Sequence, residues 1–258
     1  MGSIDSKAMR IARTAAAEAM VAGAVAVVLT GSHARGDAGA HSDIDLVVVL
    51  PKAPAKDAGP APYTVRRGYL VATAWTTPAA AAAAFRDPAL FPTYVPGWRE
   101  AVILANPDGV AARIQARARR WDWSDVADVT DAWVAEHITG WAEEVHKLVN
   151  ALQEESSHMA SVQRSLLAVQ LAGLVGLRRR ILWGTENVMH DLVAERMGEP
   201  WASTQRRAFG QGGGPHEASC RAALELFGLA VGECWGVLDR GQRAVVRQAC
   251  GIAGVEVA

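Results

Sequence analysis

Two valine-rich runs, Ala24 to Thr30 and Leu46 to Leu50, are joined by a segment that carries chemistry at both of its ends: Gly31-Ser32 stops the first run, and Ser42-Asp43-Ile44-Asp45 opens the second. Apolar runs of that length, rich in β-branched residues, suit buried strands. Glycine permits a backbone conformation that other residues resist, so an anion can come close to the Ser32 hydroxyl and the neighbouring N–H groups. Strand side chains alternate. Asp43 and Asp45 therefore share one side at the strand start, while Ile44 and Leu46 enter the core. Two hard oxygen donors at that spacing suit a divalent cation such as Mg²⁺, which keeps several waters and takes its remaining ligands from phosphate oxygens. Arg35, between the turn and the strand, can meet a phosphate with its planar fork. Each part alone is commonplace, since a Gly-Ser pair is often only a turn and an Asp-x-Asp pair often only a solvated edge. Their combination points to a metal-bound nucleoside triphosphate and nucleotidyl transfer.

The rest of the chain divides by punctuation. Pro51 to Pro62 reads as a surface connection, Val65 to Thr77 as a strand, Pro78 to Phe85 as the start of an alanine-rich helix and Ala101 to Ala105 as another strand. Pro88, Pro92, Pro96 and Pro107 break the intervening chain into short pieces. Ala111 to Trp121 forms a basic helix whose arginines face solvent. From Ser124, a plausible N-cap, long helices follow. Val134, Ile138, Trp141, Val145, Leu148 and Leu152 make a buried stripe. Met159 to Trp183 is a second helix with small residues for close packing, and Glu217 to Leu238 is an amphipathic last helix. These elements predict an α+β domain with a mixed sheet flanked by helices, residues 1–121, followed by an all-α helical-bundle domain, residues 122–258.

Gly31-Ser32, Arg35-Gly36 and Ser42-Asp43-Ile44-Asp45-Leu46 resemble the signature of the DNA polymerase β-like nucleotidyltransferase superfamily. Over most of its length the chain is also similar to the kanamycin-type aminoglycoside nucleotidyltransferases in the order of parts. These are the Gly-Ser turn, a strand around Tyr69 to Trp75, a helix carrying Glu143 and Lys147 and ending near Asn150, and a small-residue helix running into Gly176-Leu177-Arg178-Arg179-Arg180-Ile181. Read without the family, Glu143 and Lys147 stand four apart and make an ordinary surface ion pair. The resemblance instead assigns Glu143 as the general base, with Glu144 and Glu136 as alternative registers, and Lys147 as a triphosphate ligand beside Gly31, Ser32 and Arg35. It also implies Asp43 and Asp45 as metal ligands, ATP as co-substrate, a small-molecule hydroxyl as acceptor, and a homodimer with its sites near the subunit interface.

The chain departs from that pattern twice. Where relatives carry a third carboxylate on the strand after the Asp pair, it has Leu70-Val71-Ala72-Thr73-Ala74, and where they carry acids for a polycationic acceptor, Pro78 to Ala84 is almost entirely alanine. An acceptor less cationic than kanamycin is expected, such as another antibiotic, a nucleoside or a biosynthetic intermediate. Two other readings stay open: an inactive nucleotide- or drug-binding module of the same fold, and a toxin-antitoxin enzyme that modifies a protein.

Composition narrows the partners. A net charge of -1 over 258 residues supplies no basic field for a nucleic-acid polymer. Cys220, Cys234 and Cys250 are odd in number and widely spaced, so reduced structural thiols are expected rather than a disulfide framework or a zinc site. The alanine- and valine-rich stretch from Met9 to Thr30 contains Glu18 and leads straight into Gly31, which reads as a first helix and strand rather than a secretory signal. With no uninterrupted apolar run of ~20 residues, no membrane partner is expected, and the location expected is cytoplasmic.

Overall fold

The computed structural model describes residues 6–55 and 61–256. Residues 56–60 of the expected proline-rich connection lie outside the described residues. The chain forms two compact units that part between Asp125 and Val126.

The first unit is built on a five-stranded mixed sheet. Helix α1 (Ser6–Val21) leads into β1 (Ala26–Thr30), a short helix α2 (Gly31–Arg35) and β2 (Ile44–Val49); β3 (Tyr63–Arg66), β4 (Tyr69–Thr76) and β5 (Val102–Ala105) complete the sheet in the order β3-β4-β2-β1-β5. Strands β2 and β4 run parallel and the other neighbours antiparallel. Alternation decides what each face does. Ala8, Ile11, Ala12 and Ala15 of α1 pack on Leu29, Ile44, Leu46 and Val71, which turns Asp45 and Val47 to the opposite face. Ile44 is fully buried between the two aspartates.

Two local readings of this unit needed correction. The strand expected from Val65 to Thr77 is a hairpin, β3 and β4 joined by Arg67-Gly68 with φ of 51° and 87°. Two consecutive positive-φ residues fit the tight turn that antiparallel strands favour, although arginine is an unusual occupant of the first position. Pro96 does not break the chain but sits inside helix α4 (Phe91–Glu100), where Phe91, Val95 and Trp98 are buried and packing overrides the local penalty. Helix α3 (Pro78–Ala84) starts as expected, with Pro78 in the first turn and the Ala80 N–H donating to Thr77 Oγ1 at 3.1 Å. Helix α5 (Val110–Arg120) ends the unit's regular structure, and Arg99 donates to the carbonyls of Ala118 and Trp121 at its last turn.

The second unit is helical: α6 (Ala127–Gly140), α7 (Ala142–Gln153), α8 (Ser157–Arg178), α9 (Glu186–Met197), α10 (Trp201–Ala208), α11 (His216–Cys234) and α12 (Arg240–Ala253). Ser124 caps no helix, because its hydroxyl and its N–H both donate to Asp122 Oδ1 and the helix begins three residues later. The stripe expected on one helix is shared by α6 and α7, which meet at Gly140-Trp141. Helix α12, which the sequence reading missed, opens with a reciprocal cap between Asp239 and Gln242. Helix α8 is long and apolar enough to cross a bilayer, yet 56% of its apolar window is buried against neighbouring helices of the bundle, with α11 its main partner. At Gly176 an added Cβ would lie 2.8 Å from the Trp183 ring, so the close packing expected of that residue is present. All three cysteines are free and buried.

Since Ile44 has no exposed surface and anchors the strand between the two acids, Ile44→Ala is expected to lower unfolding stability by about 2–5 kcal/mol. Urea denaturation followed by circular dichroism measures this, and a change below about 0.5 kcal/mol contradicts the packing described.

Candidate active site

Strand β1 ends where the sequence changes from apolar residues to Thr30-Gly31-Ser32, and the chain turns at once into α2. Gly31 lies at φ 67°, a conformation that strains any residue with a side chain. Space imposes a second requirement. A Cβ on Gly31 would overlap Asp45 Oδ2 and come within 3.0 Å of Asp45 Cγ. The antiparallel register produces this closeness, because Thr30 faces Asp45 across the β1–β2 ladder. Only hydrogen at position 31 leaves room for the carboxylate.

Helix α2 closes with Gly36 at φ 82°, whose N–H donates to the Ser32 carbonyl at 2.9 Å, and the Asp37 N–H donates to the same oxygen at 3.1 Å. Arg35 is thereby aimed; its Nε donates to Asp37 Oδ2 at 3.0 Å, and its charge reaches Asp45. The loop into β2 is tied by Ser42, whose hydroxyl accepts from the Gly39 N–H at 2.9 Å. Asp43 then precedes the strand and Asp45 is its second residue. Burial, and next the like charge of Asp43, push the Asp45 carboxyl up to about 6, with Arg35 and His33 opposing. Gly31, Ser32, Arg35, Asp43 and Asp45 thus come together on one turn and one strand mouth.

Asp45 and Thr30 border a cavity of about 980 Å³ on the open sheet face, whose walls include Tyr63, Ala72, Ala74 and Trp75. Asp45 is also paired across the parallel β2–β4 ladder with Ala72, so the place beside Asp45 where a third acid would stand holds a methyl group. Among the described residues no group of three or more His, Cys, Asp or Glu is placed to hold a metal. Neighbouring carboxylates, with the charge of Asp43 acting on Asp45 and Asp45 at the edge of an open cavity, nevertheless fit a cation that keeps waters and takes ligands from phosphate.

His33 is a feature the sequence did not assign. It is 4% exposed, neither ring nitrogen has a hydrogen-bond partner, and its ring lies 6.2 Å from that of Tyr69. Its position within the Gly-Ser turn was the only signal.

Glu143 and Lys147 belong to the helical unit, on α7. Lys147 Nζ meets Glu143 Oε1 at 2.8 Å and Glu144 Oε1 at 2.9 Å. The shared ammonium holds the Glu143 carboxyl below its ordinary value, and both acids raise Lys147. Glu144 is the more enclosed of the two, with Oε2 buried and unpartnered. Glu136 lies on α6.

A family model described as a nucleotidyltransferase domain matches residues 16–73, the stretch from the second half of α1 into β4 that contains every site residue of the first unit. Among solved structures, a nucleotidyltransferase-like protein from Exiguobacterium sibiricum 255-15 aligns with a TM-score of 0.50 and 12% identity, over 96% of this chain and 77% of its own. That likeness is one of fold. No curated protein matches the chain. The fold is an α+β unit with a mixed sheet followed by a helical unit, and the family match over residues 16–73 supports nucleotidyl transfer in general.

Two predictions follow from the Gly31–Asp45 contact. Gly31→Ala is expected to destabilise the chain by more than about 1 kcal/mol, and by measurably less in an Asp45→Ala background; equal penalties in both backgrounds mean that the carboxylate is not what excludes the methyl. Because the folded chain holds the Asp45 proton more tightly than the unfolded chain, this group's contribution to stability is present below about pH 4 and is lost as pH rises through about 6. In chelator-treated protein, the urea midpoint is expected to fall over that window in the wild type more than in Asp45→Asn.

Proposed function

We propose that the chain is a nucleotidyltransferase of the kanamycin-type group that moves a nucleoside monophosphate, with ATP as donor, to a hydroxyl of a small molecule and releases pyrophosphate. The observation that carries the reading is the Asp45 carboxylate seated against the Gly31 backbone, beside Asp43 and at the edge of a large cavity. The nucleotidyltransferase match over residues 16–73 supports it.

In this scheme Asp43 and Asp45 hold Mg²⁺, which when bound neutralises phosphate charge and assists the leaving group. Ser32 and Arg35 orient and neutralise the triphosphate, and Lys147, on the helical unit, is proposed for the same role from the resemblance alone. The acceptor oxygen attacks the α-phosphorus; an oxygen–phosphorus bond forms, the α–β anhydride bond breaks, and pyrophosphate departs with the electron pair. Glu143 receives the hydroxyl proton, and its ion pair with Lys147 keeps it ionised and able to do so. Glu144, which shares the same lysine and is the more enclosed, is the second register for that base.

The acceptor is proposed to be weakly cationic or neutral. Tyr63, Ala72, Ala74 and Trp75 offer apolar and aromatic surface around Asp45, and a polycation needs paired acids to offset its desolvation. The reading includes a homodimer, a cytoplasmic location where nucleoside triphosphates are available, and neither nucleic acid nor membrane as partner. A second reading, a binding module without catalysis, is favoured by one observation, the methyl of Ala72 beside Asp45 in place of an acid.

An acceptor panel with ATP and Mg²⁺, read by pyrophosphate release, tests these together. Turnover is expected with at least one hydroxyl compound; Glu143→Gln is expected to reduce it by ~10²- to 10⁴-fold, and Asp45→Asn, which removes a metal ligand, to abolish pyrophosphate release. Wild-type turnover from either variant removes that residue from the scheme, and kanamycin turned over with a micromolar KM refutes the weakly cationic acceptor. Calorimetric binding of a nonhydrolysable ATP analogue without pyrophosphate release from any acceptor favours the module.

A further inference from the structure

A second charged site lies on the α1 side of the sheet, outside the residues assigned above. Lys7, Arg10, Ile11 and Thr14 fall on one face of α1 at spacings of three and four, and together with Arg66 and Arg67 of the β3–β4 hairpin they enclose a cavity of about 350 Å³. Four of its six walls are cationic, in a chain whose net charge is -1. Among the described residues, Glu18 is taken up by Arg66 at 2.7 Å. That pair clamps the hairpin to α1, and Arg10 and Arg67 have no acidic partner among the described residues.

Two further observations mark the pocket as built. Arg67 occupies a left-handed backbone position, φ 51°, in a turn where asparagine or glycine fits with less strain; a guanidinium has been placed there against the local preference. Lys7 Nζ sits 5.1 Å from the Tyr69 ring centroid, and that ring neighbours His33 of the nucleotide turn, so the pocket adjoins the back of the site.

We propose that this pocket binds a small phosphate-bearing anion. Guanidinium forks match the bidentate geometry of phosphate oxygens, and an anion offsets the mutual repulsion of the cations that line one cavity. The size is at the small end of ligand pockets, which run from about 300 to 1,000 Å³, and fits phosphate, pyrophosphate or a compact phosphomonoester rather than a polymer. The pocket requires nothing of Asp43 or Asp45, so its binding is independent of the proposed reaction.

Isothermal titration calorimetry of the full chain, in chelator and low salt, tests this with inorganic phosphate, pyrophosphate, glycerol phosphate and a short single-stranded RNA. At least one of the three small anions is expected to bind with a Kd of about 1 mM or tighter, and the strongest identifies the source. The double variant Arg10→Ala with Arg67→Gly is expected to weaken it tenfold or more while leaving Mg²⁺-dependent ATP-analogue binding within twofold. Glycine suits the positive φ at 67, so this variant is expected to fold, with thermal unfolding as the check. The proposal is overturned if no small anion binds, if the double variant binds them as the wild type does, or if RNA binds and the small anions do not.

Discussion

The contact between the Asp45 carboxylate and the bare backbone of Gly31 organises the first unit. It requires three things at once: a glycine at positive φ, a β1–β2 register that sets Thr30 opposite Asp45, and an apolar residue on either side of Asp45 to hold the strand down. The third condition comes from the core. Ile44 and Leu46 pack against α1, and because a strand alternates, anchoring them fixes which way Asp45 points. A one-residue slip would turn both acids into the core. Fold and site are therefore specified by the same residues, and the apolar packing under the sheet acts on the chemistry above it.

The cost of that arrangement is electrostatic. Two carboxylates share a partly enclosed strand mouth, and Asp45 resists ionisation. Arg35 relieves it only in part, since its Nε is engaged by Asp37. Strain of this kind collects at functional sites and is tolerated where the surrounding structure over-determines the geometry. A similar economy is visible on α7, where a single ammonium serves Glu143 and Glu144; the more exposed acid is held ionised and the more enclosed one keeps an unpartnered oxygen.

Sequence made the central strands and the turn legible because they are strongly patterned: a run of buried β-branched residues, a glycine, and acids alternating with Ile44 and Leu46. The less legible parts are those where local chemistry is overridden or ambiguous. The Arg67-Gly68 turn was hidden because arginine is a poor turn marker, so β3 and β4 looked like one strand. Pro96 looked like a breaker because nothing in the sequence announces the packing of Phe91, Val95 and Trp98 around it. Ser124 looked like a cap until its hydroxyl found Asp122 instead. Within the site, His33 and Asp37 carried no pattern of their own, and only three-dimensional placement reveals a buried imidazole and the partner that aims Arg35. The basic pocket under the hairpin combines residues some 50 positions apart, and no local pattern connects them.

Ala72 brings these strands together. The parallel β2–β4 register sets it directly beside Asp45, so the residue there tunes the same carboxylate that Gly31 accommodates. An acid at 72 would tighten the grip on a cation but add a second like charge to Asp45, raising still further the resistance to ionisation that Asp43 already imposes. A methyl gives up a ligand and removes that repulsion, and it leaves the cavity wall apolar between Tyr63 and Ala74. In the proposed reaction this exchange moves work from the protein to the substrate: the triphosphate supplies more of the metal's oxygens, and the acceptor is met by methyl and aromatic surface rather than by charge. On this proposal, weak metal affinity in the absence of nucleotide and a preference for a weakly cationic or neutral acceptor have the same structural origin, the side chain at position 72.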